Sequence, residues 1–380
     1  MRRRDFLRNG LAIGTTALFS GIGLAATGGP PASSAEPVVV VEPLPPIWDA
    51  AIAGRWNIVK EWLQHDPSLI GITGDATLHD VEYKKVTLLH LAVILNFDVM
   101  FLDYLIAQGG DVNAVAKGWE TPLCFAAGFN SNVEVLKYLV SVGAKGHRSS
   151  MPPLYWAAWR NSNVAVLEYL VSQGAKAELE CDDYQNYNGW TPLHSAGCNP
   201  NVEIHEYLIS QGMVVNAKEV FGHTPLHMAA LCNPNMEVVK FLISAGANVL
   251  AKNDWDETPL DCADTEEKRN VLREAMSNQK IDLILLTWID SFQQRSITKQ
   301  SLESALEELS RFDIHNIQKR FQCLAPLLKP ETLPDTLEIM TAMVTNNMPD
   351  LRLFLLTYLG MMKYTLTETT SQYLAELQKI

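Results

Sequence analysis

The fold of this 380-residue chain is decided by Gly222-His-Thr-Pro-Leu-His-Met-Ala-Ala230 and by the stretch that follows it, Val238-Val-Lys-Phe-Leu-Ile-Ser-Ala-Gly-Ala247. The Thr-Pro step predicts a helix start, because a threonine hydroxyl caps free N–H groups and proline suits the first helical turn. In the second stretch, Val238 and Leu242 recur at helical spacing, and Gly246 suits the residue that follows a helix. Together the two stretches predict a pair of short helices.

The same pattern recurs along the chain. Related Thr-Pro-Leu segments, some of them degenerate, begin at residues 87, 121, 152, 191, 224 and 258, so successive copies lie 31 to 39 residues apart. A glycine follows each of the first five starts by 21 or 22 residues, at positions 109, 143, 174, 212 and 246. Two markers in nearly constant phase predict a solenoid of stacked helix pairs, since a period of this length is typical of repeat architectures.

Asparagines mark the loop inside each predicted pair. We predict that the first helices end at asparagines in the left-handed conformation, and that the second helices begin two residues later at polar caps. The predicted helix ends are Asn96, Asn130, Asn161, Asn199 and Asn233. The predicted caps are Asp98, Asn132, Asn163, Asn201 and Asn235.

These residues resemble the ankyrin repeat, whose pattern is Gly-x-Thr-Pro-Leu-His-x-Ala-Ala followed by Val-x-x-Leu-Leu-x-x-Gly-Ala. The resemblance implies an all-α, ankyrin-repeat solenoid with β-hairpin-like fingers, and we count about seven repeats over residues 47–278. The first repeat lacks the Thr-Pro-Leu-His signature and the seventh lacks a normal second helix, as expected of terminal repeats. Amphipathic patterns over residues 279–380 predict a small α-helical C-terminal unit of six helices, which resembles no known family.

The histidines of the repeats do not indicate a metal site. His90, His194 and His227 occupy the same slot of each repeat, where the resemblance implies that they orient the finger through hydrogen bonds. No Cys or His spacing matches a zinc site. The acidic insertion over residues 178–188 lacks the oxygen spacing of a known calcium loop. We therefore predict no metal and no cofactor.

Cys198 and Cys232 occupy equivalent slots one repeat apart. Packed helices lie roughly 8–10 Å apart, whereas a disulfide needs Cα atoms within about 7 Å of each other. We therefore predict that both residues are free thiols.

Aromatic residues indicate where a partner binds. The resemblance places the variable positions of the first helices on the concave side, and a contiguous apolar surface there indicates a binding site, with Trp and Arg as favoured anchors. The candidates on that face are Phe125, Phe129, Trp156, Trp159 and Arg160, and those in the fingers are Trp119, Trp190 and Trp255. Two alternatives stay open: the C-terminal segment covers this face, or several of these residues are ordinary core.

The N-terminal residues have the pattern of an export signal. Met1-Arg-Arg-Arg-Asp-Phe-Leu-Arg8 precedes an apolar run that ends in Ser33-Ser-Ala35, the layout of a cleavable secretory signal. The paired arginines resemble a bacterial twin-arginine signal. We predict a signal peptide over residues 1–35, a proline-rich linker over 36–46 and a periplasmic location in a Gram-negative bacterium. The alternative is a plain secretory signal or an N-terminal membrane anchor.

The net charge and the absence of catalytic sequence motifs exclude several classes of function. The formal net charge is −13. Because binding to nucleic acids or to anionic membranes needs a basic face, we predict that the protein binds neither. We also predict that it does not insert into a membrane after signal cleavage. No Gly-x-Ser-x-Gly, phosphate-binding glycine loop or His-Glu-x-x-His motif occurs, so we predict that the chain is not an enzyme. The ankyrin resemblance implies a scaffold for an unidentified periplasmic protein, and we expect a monomer. The alternative is an enzyme, or a factor that protects one, whose activity lies in residues 279–380.

Overall fold

The computed structural model describes residues 46–78, 81–95, 97–147, 151–175, 189–294, 299–309 and 311–324. The predicted signal peptide, residues 36–45 of the linker, the acidic insertion and Asn96 lie outside the described residues, as does the chain after Leu324. Within the described ranges, no helix is both long enough and apolar enough to cross a membrane.

Most of the repeat region consists of short helices arranged in two rows. The first-helix row contains α1 (Pro46–Ile52), α3 (Leu88–Ile94), α5 (Pro122–Phe129), α7 (Pro153–Arg160), α9 (Pro192–Ala196), α11 (Pro225–Cys232) and α13 (Pro259–Cys262). The second-helix row contains α4 (Val99–Ala107), α6 (Val133–Ser141), α8 (Val164–Ser172), α10 (Val202–Ser210) and α12 (Met236–Ser244), while α2 (Trp56–His65) packs on α1. Each helix of a row contacts the next one, so the apolar face of each pair is covered by its neighbours.

A β-hairpin separates the first two helix pairs. After a 3₁₀ turn at Pro67–Gly71, β1 (Thr73–Leu78) pairs antiparallel with β2 (Val81–Thr87), with Thr73 opposite Thr87 and an irregularity between Gly74 and Ala76. Residues along β1 alternate between exposed and buried, as expected when one face of a hairpin is covered. This hairpin brings Tyr83 into a buried position.

The predicted role of the repeat histidines is confirmed. We name His90, His194 and His227 the capping histidines, because the Nδ1 atom of each accepts a hydrogen bond from a backbone N–H at the helix start, at 3.1 Å. Their Nε2 atoms lie 3.1 to 3.3 Å from a backbone oxygen of the following finger. Burial lowers the pKa of each to about 4, so the imidazoles are neutral at pH 7.

Buried asparagines link successive repeats. We name Asn130, Asn161, Asn199 and Asn233 the asparagine ladder. The Nδ2 group of Asn161, for example, donates to the backbone oxygens of Ala127 (2.7 Å) and Asn130 (3.0 Å), and its Oδ1 accepts from the N–H of Asn163 (2.9 Å). Asn199 makes the equivalent bonds: its Nδ2 donates to the backbone oxygens of Ala158 (2.9 Å) and Asn161 (2.8 Å) in the repeat before it, and its Oδ1 accepts from the N–H of Asn201 (2.9 Å).

The left-handed conformation predicted for these asparagines is wrong. Asn130 has φ −101° and ψ 116°, and Asn161 has φ −76° and ψ 141°, both in the extended region. The residue type at this slot is explained by hydrogen bonding, because only a side-chain amide both donates to carbonyls of the preceding repeat and accepts from the chain ahead. The left-handed residues after the second helices are glycines, as predicted, with φ +91° at Gly246.

Every described finger contains a second left-handed position, two residues before the threonine slot. Its occupants are Lys85 (φ 55°), Trp119 (φ 69°), Gly189 (φ 79°), Gly222 (φ 76°) and Asp256 (φ 65°). Glycine adopts this conformation without strain, whereas a residue with a Cβ pays roughly 1–2 kcal/mol. A bulky tryptophan at such a position is unusual, and residues of this kind cluster at functional sites.

The chain divides into two compact units between Arg269 and Asn270. The second unit contains most of α14 (Glu266–Gln293), together with α15 (Lys299–Leu309) and α16 (Ile314–Leu324). Arg320 holds α16 on α14 through a two-bond contact with Asp282, whose Nε–Oδ1 distance is 2.7 Å. The number of repeats, the boundary at residues 278/279 and the six-helix C-terminal unit stay predictions.

Candidate protein-binding surface

Two of the predicted partner-binding residues are core residues. Phe125 and Trp156 are each only 1% exposed, and their ring centroids lie 5.5 Å apart in an edge-on arrangement. Trp156 fits because Gly128 faces it: a Cβ at that glycine would lie 3.2 Å from the Trp156 ring. A partner cannot reach these two rings in this structure, so the core alternative applies to them.

The hairpin finger covers part of the predicted face. The ring of Tyr83 meets Phe125 edge-on at 5.3 Å between centroids and Phe129 at 6.1 Å. Burial raises the pKa of Tyr83 to about 12, and the positive charge of Arg160 opposes this shift. Covering by the chain itself was one of the alternatives, although it was expected from the C-terminal segment. Sequence reasoning missed Tyr83, since nothing in the repeat pattern places β2 over α5.

The remaining three candidates form a half-exposed group, which we name the Arg160 cluster: Phe129, Trp159 and Arg160. The guanidinium carbon of Arg160 lies 4.2 Å from the centroid of the Trp159 ring and 5.5 Å from that of Phe129. Cation–π contacts of this kind hold the guanidinium against the two rings. Burial lowers the pKa of Arg160, and its Nε atom is buried without a hydrogen-bond partner.

The three finger tryptophans differ in exposure. Trp119 is 50% exposed and stacks on His147 of the next finger, with centroids 5.0 Å apart. Trp190 is half-buried and donates from Nε1 to the hydroxyl of Ser195 at 2.9 Å. Trp255 is also half-buried and stacks with Phe221 at 5.6 Å. Of these three tryptophans, Trp119 therefore has the most accessible ring, while the other two rings also support their own fingers.

Adjacent fingers bring together lysines that are far apart in sequence. The backbone N–H of Lys117 donates to the backbone oxygen of Lys84 at 3.0 Å, and Lys85 follows directly in β2. Lys85 and Lys117 are exposed, and Lys84 is paired with Glu82 at 3.3 Å. Lys85 and Lys117 thus lie on adjoining fingers beside the Lys84–Glu82 ion pair.

A buried Glu–His pair in one finger resembles a catalytic dyad but has a structural explanation. Glu219 lies 2.7 Å from His223 Nδ1, and Asn253 lies 3.2 Å from the other ring nitrogen. The Glu219 carboxylate also accepts from the N–H groups of Phe221 (2.9 Å) and His223 (3.0 Å), so it closes the finger. Among the described residues, no group of three or more His, Cys, Asp or Glu could hold a metal ion.

Cys198 and Cys232 form a disulfide, so the free-thiol prediction is wrong. Their Cα atoms lie 5.2 Å apart, closer than ordinary helix packing allows. Gly197 explains the close approach, because a Cβ at this residue would lie 2.5 Å from the Cβ of Met228. The missing side chain lets α9 and α11 approach until the two sulfurs meet.

We compared the chain with family models, curated proteins and solved structures. A family model described as ankyrin repeats (3 copies) matches residues 89–181 and 154–253. A search of curated proteins finds no match. Among solved structures, the human ASB11 ankyrin repeat domain is similar at 23% sequence identity and a TM-score of 0.47, over 61% of this chain and 98% of that one. Residues 89–253, with their paired helices and capped Thr-Pro starts, are therefore similar to ankyrin repeats.

Proposed function

We propose that this chain is an exported, monomeric scaffold that binds a periplasmic partner protein and has no catalytic activity of its own. Ankyrin repeats in general have a protein–protein interaction role, which supports binding through the first-helix row and the fingers. The observation that carries the proposal is the Arg160 cluster. It presents two partly exposed aromatic rings and a partly exposed guanidinium, and tryptophan and arginine are among the residue types most enriched at interface hot spots.

Trp119 supports the same proposal from the fingers. Its ring is 50% exposed although its backbone adopts the left-handed conformation that glycine tolerates best. Folding alone favours glycine at this slot, as in the fingers of Gly189 and Gly222. A partner that packs on the Trp119 ring explains why a strained tryptophan stands there.

Two features support export. The N-terminal residues combine paired arginines, an apolar run and a small-residue end. The Cys198–Cys232 disulfide suits an oxidising compartment such as the bacterial periplasm.

A capture experiment tests the binding proposal. Tagged mature protein is incubated with periplasmic extract of the native organism, and the retained proteins are identified by mass spectrometry. The most enriched protein is then purified and titrated against the wild type and against Phe129→Ala with Trp159→Ala. We expect the double variant to bind about 30-fold more weakly, as a loss of about 2 kcal/mol at a hot spot predicts, with little change in melting temperature.

Trp62→Ala is the matched control, because Trp62 is also a partly exposed tryptophan (39%) but lies on α2, outside the first-helix row. Its substitution should leave the affinity unchanged. A double variant that folds and binds at full strength would remove the Arg160 cluster from the proposal and leave Trp119 to be tested. An equal loss in both variants would mean that the effect is not specific to this surface.

A further inference from the structure

The charge of Arg160 has no counter-ion among the residues that the structure describes. Arg160 is the last residue of α7, and its guanidinium is held by ring contacts to Trp159 and Phe129. No carboxylate of the described chain forms an ion pair or hydrogen bond with it, and its Nε–H is buried without an acceptor. The titratable side chain that interacts electrostatically with Arg160 is Tyr83, whose phenol is neutral at pH 7 and whose pKa burial raises further, to about 12.

The surroundings of Arg160 favour binding of a carboxylate. The aromatic rings contact the guanidinium through their faces and accept no conventional hydrogen bond, so the five N–H donors of Arg160 still need acceptors. A carboxylate satisfies two of these donors at once in the fork geometry. Since burial has already removed part of the hydration of Arg160, less desolvation remains to oppose such a bond than at a fully exposed arginine.

Neighbouring charges favour an acidic segment over a single terminal carboxylate. Tyr83, whose ring contacts Phe129, is followed in β2 by Lys84, which is paired with Glu82, and by the exposed Lys85. Lys117 joins them through its backbone bond to Lys84. A segment with several carboxylates can therefore reach one cation in the cluster and others on the adjoining fingers.

We propose that Arg160 binds an internal aspartate or glutamate of an acidic segment in the partner protein, and that an apolar side chain next to this carboxylate packs on Trp159 and Phe129. This inference rests on the proposed function and names the chemistry of the partner. Ring contacts alone do not explain why an arginine ends α7, because an apolar residue would pack on the same rings. A carboxylate partner explains the residue type.

Selection from a displayed library of random dodecapeptides tests the inference without knowledge of the natural partner. The full mature protein is immobilised as wild type, as Arg160→Gln and as Lys60→Gln. Lys60 is the matched control, because its ammonium also lies over aromatic rings, at 5.2 Å from the centroids of Phe101 and Tyr104, but at a different surface. We expect the wild type and Lys60→Gln to enrich peptides with Asp or Glu beside an apolar residue, and Arg160→Gln to lose this enrichment.

The most enriched peptide is then synthesised with its glutamate or aspartate and with the corresponding amide. Fluorescence titration against the wild type and Arg160→Gln completes a double-mutant cycle. Each single change should weaken binding at least about tenfold, and the two together little more than either alone, as coupled charge pairs do. Arg160→Lys, which keeps the charge but not the fork, should fall between the wild type and Arg160→Gln.

The possible results distinguish a failure of the carboxylate inference from a failure of the proposed binding function. Enriched peptides that lack acidic residues, and whose binding is lost in Trp159→Ala, would overturn the carboxylate inference but leave the binding scaffold standing. Additive losses in the cycle would also overturn the inference. No enrichment over an uncoated surface would count against both proposals. If Arg160→Gln fails to fold, the acid-to-amide peptide pair on the wild type still decides, since equal affinities would exclude a carboxylate partner.

Discussion

Replacing Asn161 with alanine removes one rung of the asparagine ladder. Asn161 is 2% exposed, and its side chain bonds to the oxygens of Ala127 and Asn130 and to the N–H of Asn163. The substitution leaves three backbone groups without this partner. A buried group left unsatisfied costs about 1–3 kcal/mol, and because the Asn163 end is near solvent, we expect the free energy of unfolding to fall by about 3–5 kcal/mol in all.

Urea unfolding followed by circular dichroism measures this loss. Asn163→Ala is the matched control: its side chain accepts from Ala165 N–H at 3.1 Å and donates to the Ser131 oxygen at 2.8 Å, but it lies nearer the surface. The loss of such a cap should cost about 1 kcal/mol. Asn161→Asp keeps the acceptor and replaces the donor by oxygen, so it should lose at least as much as alanine. Equal losses at Asn161 and Asn163, or a loss below about 1 kcal/mol at Asn161, would refute the argument.

Four further outcomes are expected. The capping histidines bind protons more weakly in the folded state, where their pKa values are about 4, than in the unfolded state, where the ordinary value is 6.5. The free energy of unfolding, measured with urea, should therefore be constant above pH 7 and about 2 kcal/mol lower per histidine at pH 5. A free energy of unfolding that does not change with pH would contradict this. Replacing Cys198 and Cys232 with serine should lower stability by about 2–4 kcal/mol without reductant and not with it. Trp119→Gly should be more stable to urea than Trp119→Ala by about 1 kcal/mol, and the reverse order would remove the strain argument. Arg3→Lys with Arg4→Lys should leave an unprocessed precursor in the cytoplasm on immunoblots, whereas normal maturation would exclude the twin-arginine route.

The helix pairs could be predicted because their ends are determined by local residues. A Thr-Pro step before α11 and a left-handed Gly246 after α12 act within one turn of chain, so the sequence period alone locates them. The histidine role was predictable for the same reason, since His227 bonds to the start of its own helix. The asparagine slot was misread because both donor bonds of its amide cross to the preceding repeat, which no local rule describes.

The site was less predictable because it depends on how closely neighbouring elements approach. The repeat pattern predicts Trp156 as a surface anchor, but Gly128 of the adjacent helix leaves space for its ring in the core. The disulfide was missed for the same cause, since an average helix separation does not apply where Gly197 meets Met228. In both cases one glycine leaves room for the neighbouring helix, and a glycine within or directly after a first helix is the available sequence signal.

The Cys198–Cys232 disulfide changes what a single break in the chain can do. The two cysteines are 34 positions apart, and α10 lies between them. If a protease cuts any peptide bond in that interval, the residues before and after the cut stay covalently joined through the sulfurs. The nicked protein should migrate as one species in non-reducing electrophoresis and as two after reduction. The repeats before Cys198, which carry Trp119 and the Arg160 cluster, therefore stay joined to the repeats after Cys232 when one peptide bond between the two cysteines is cut.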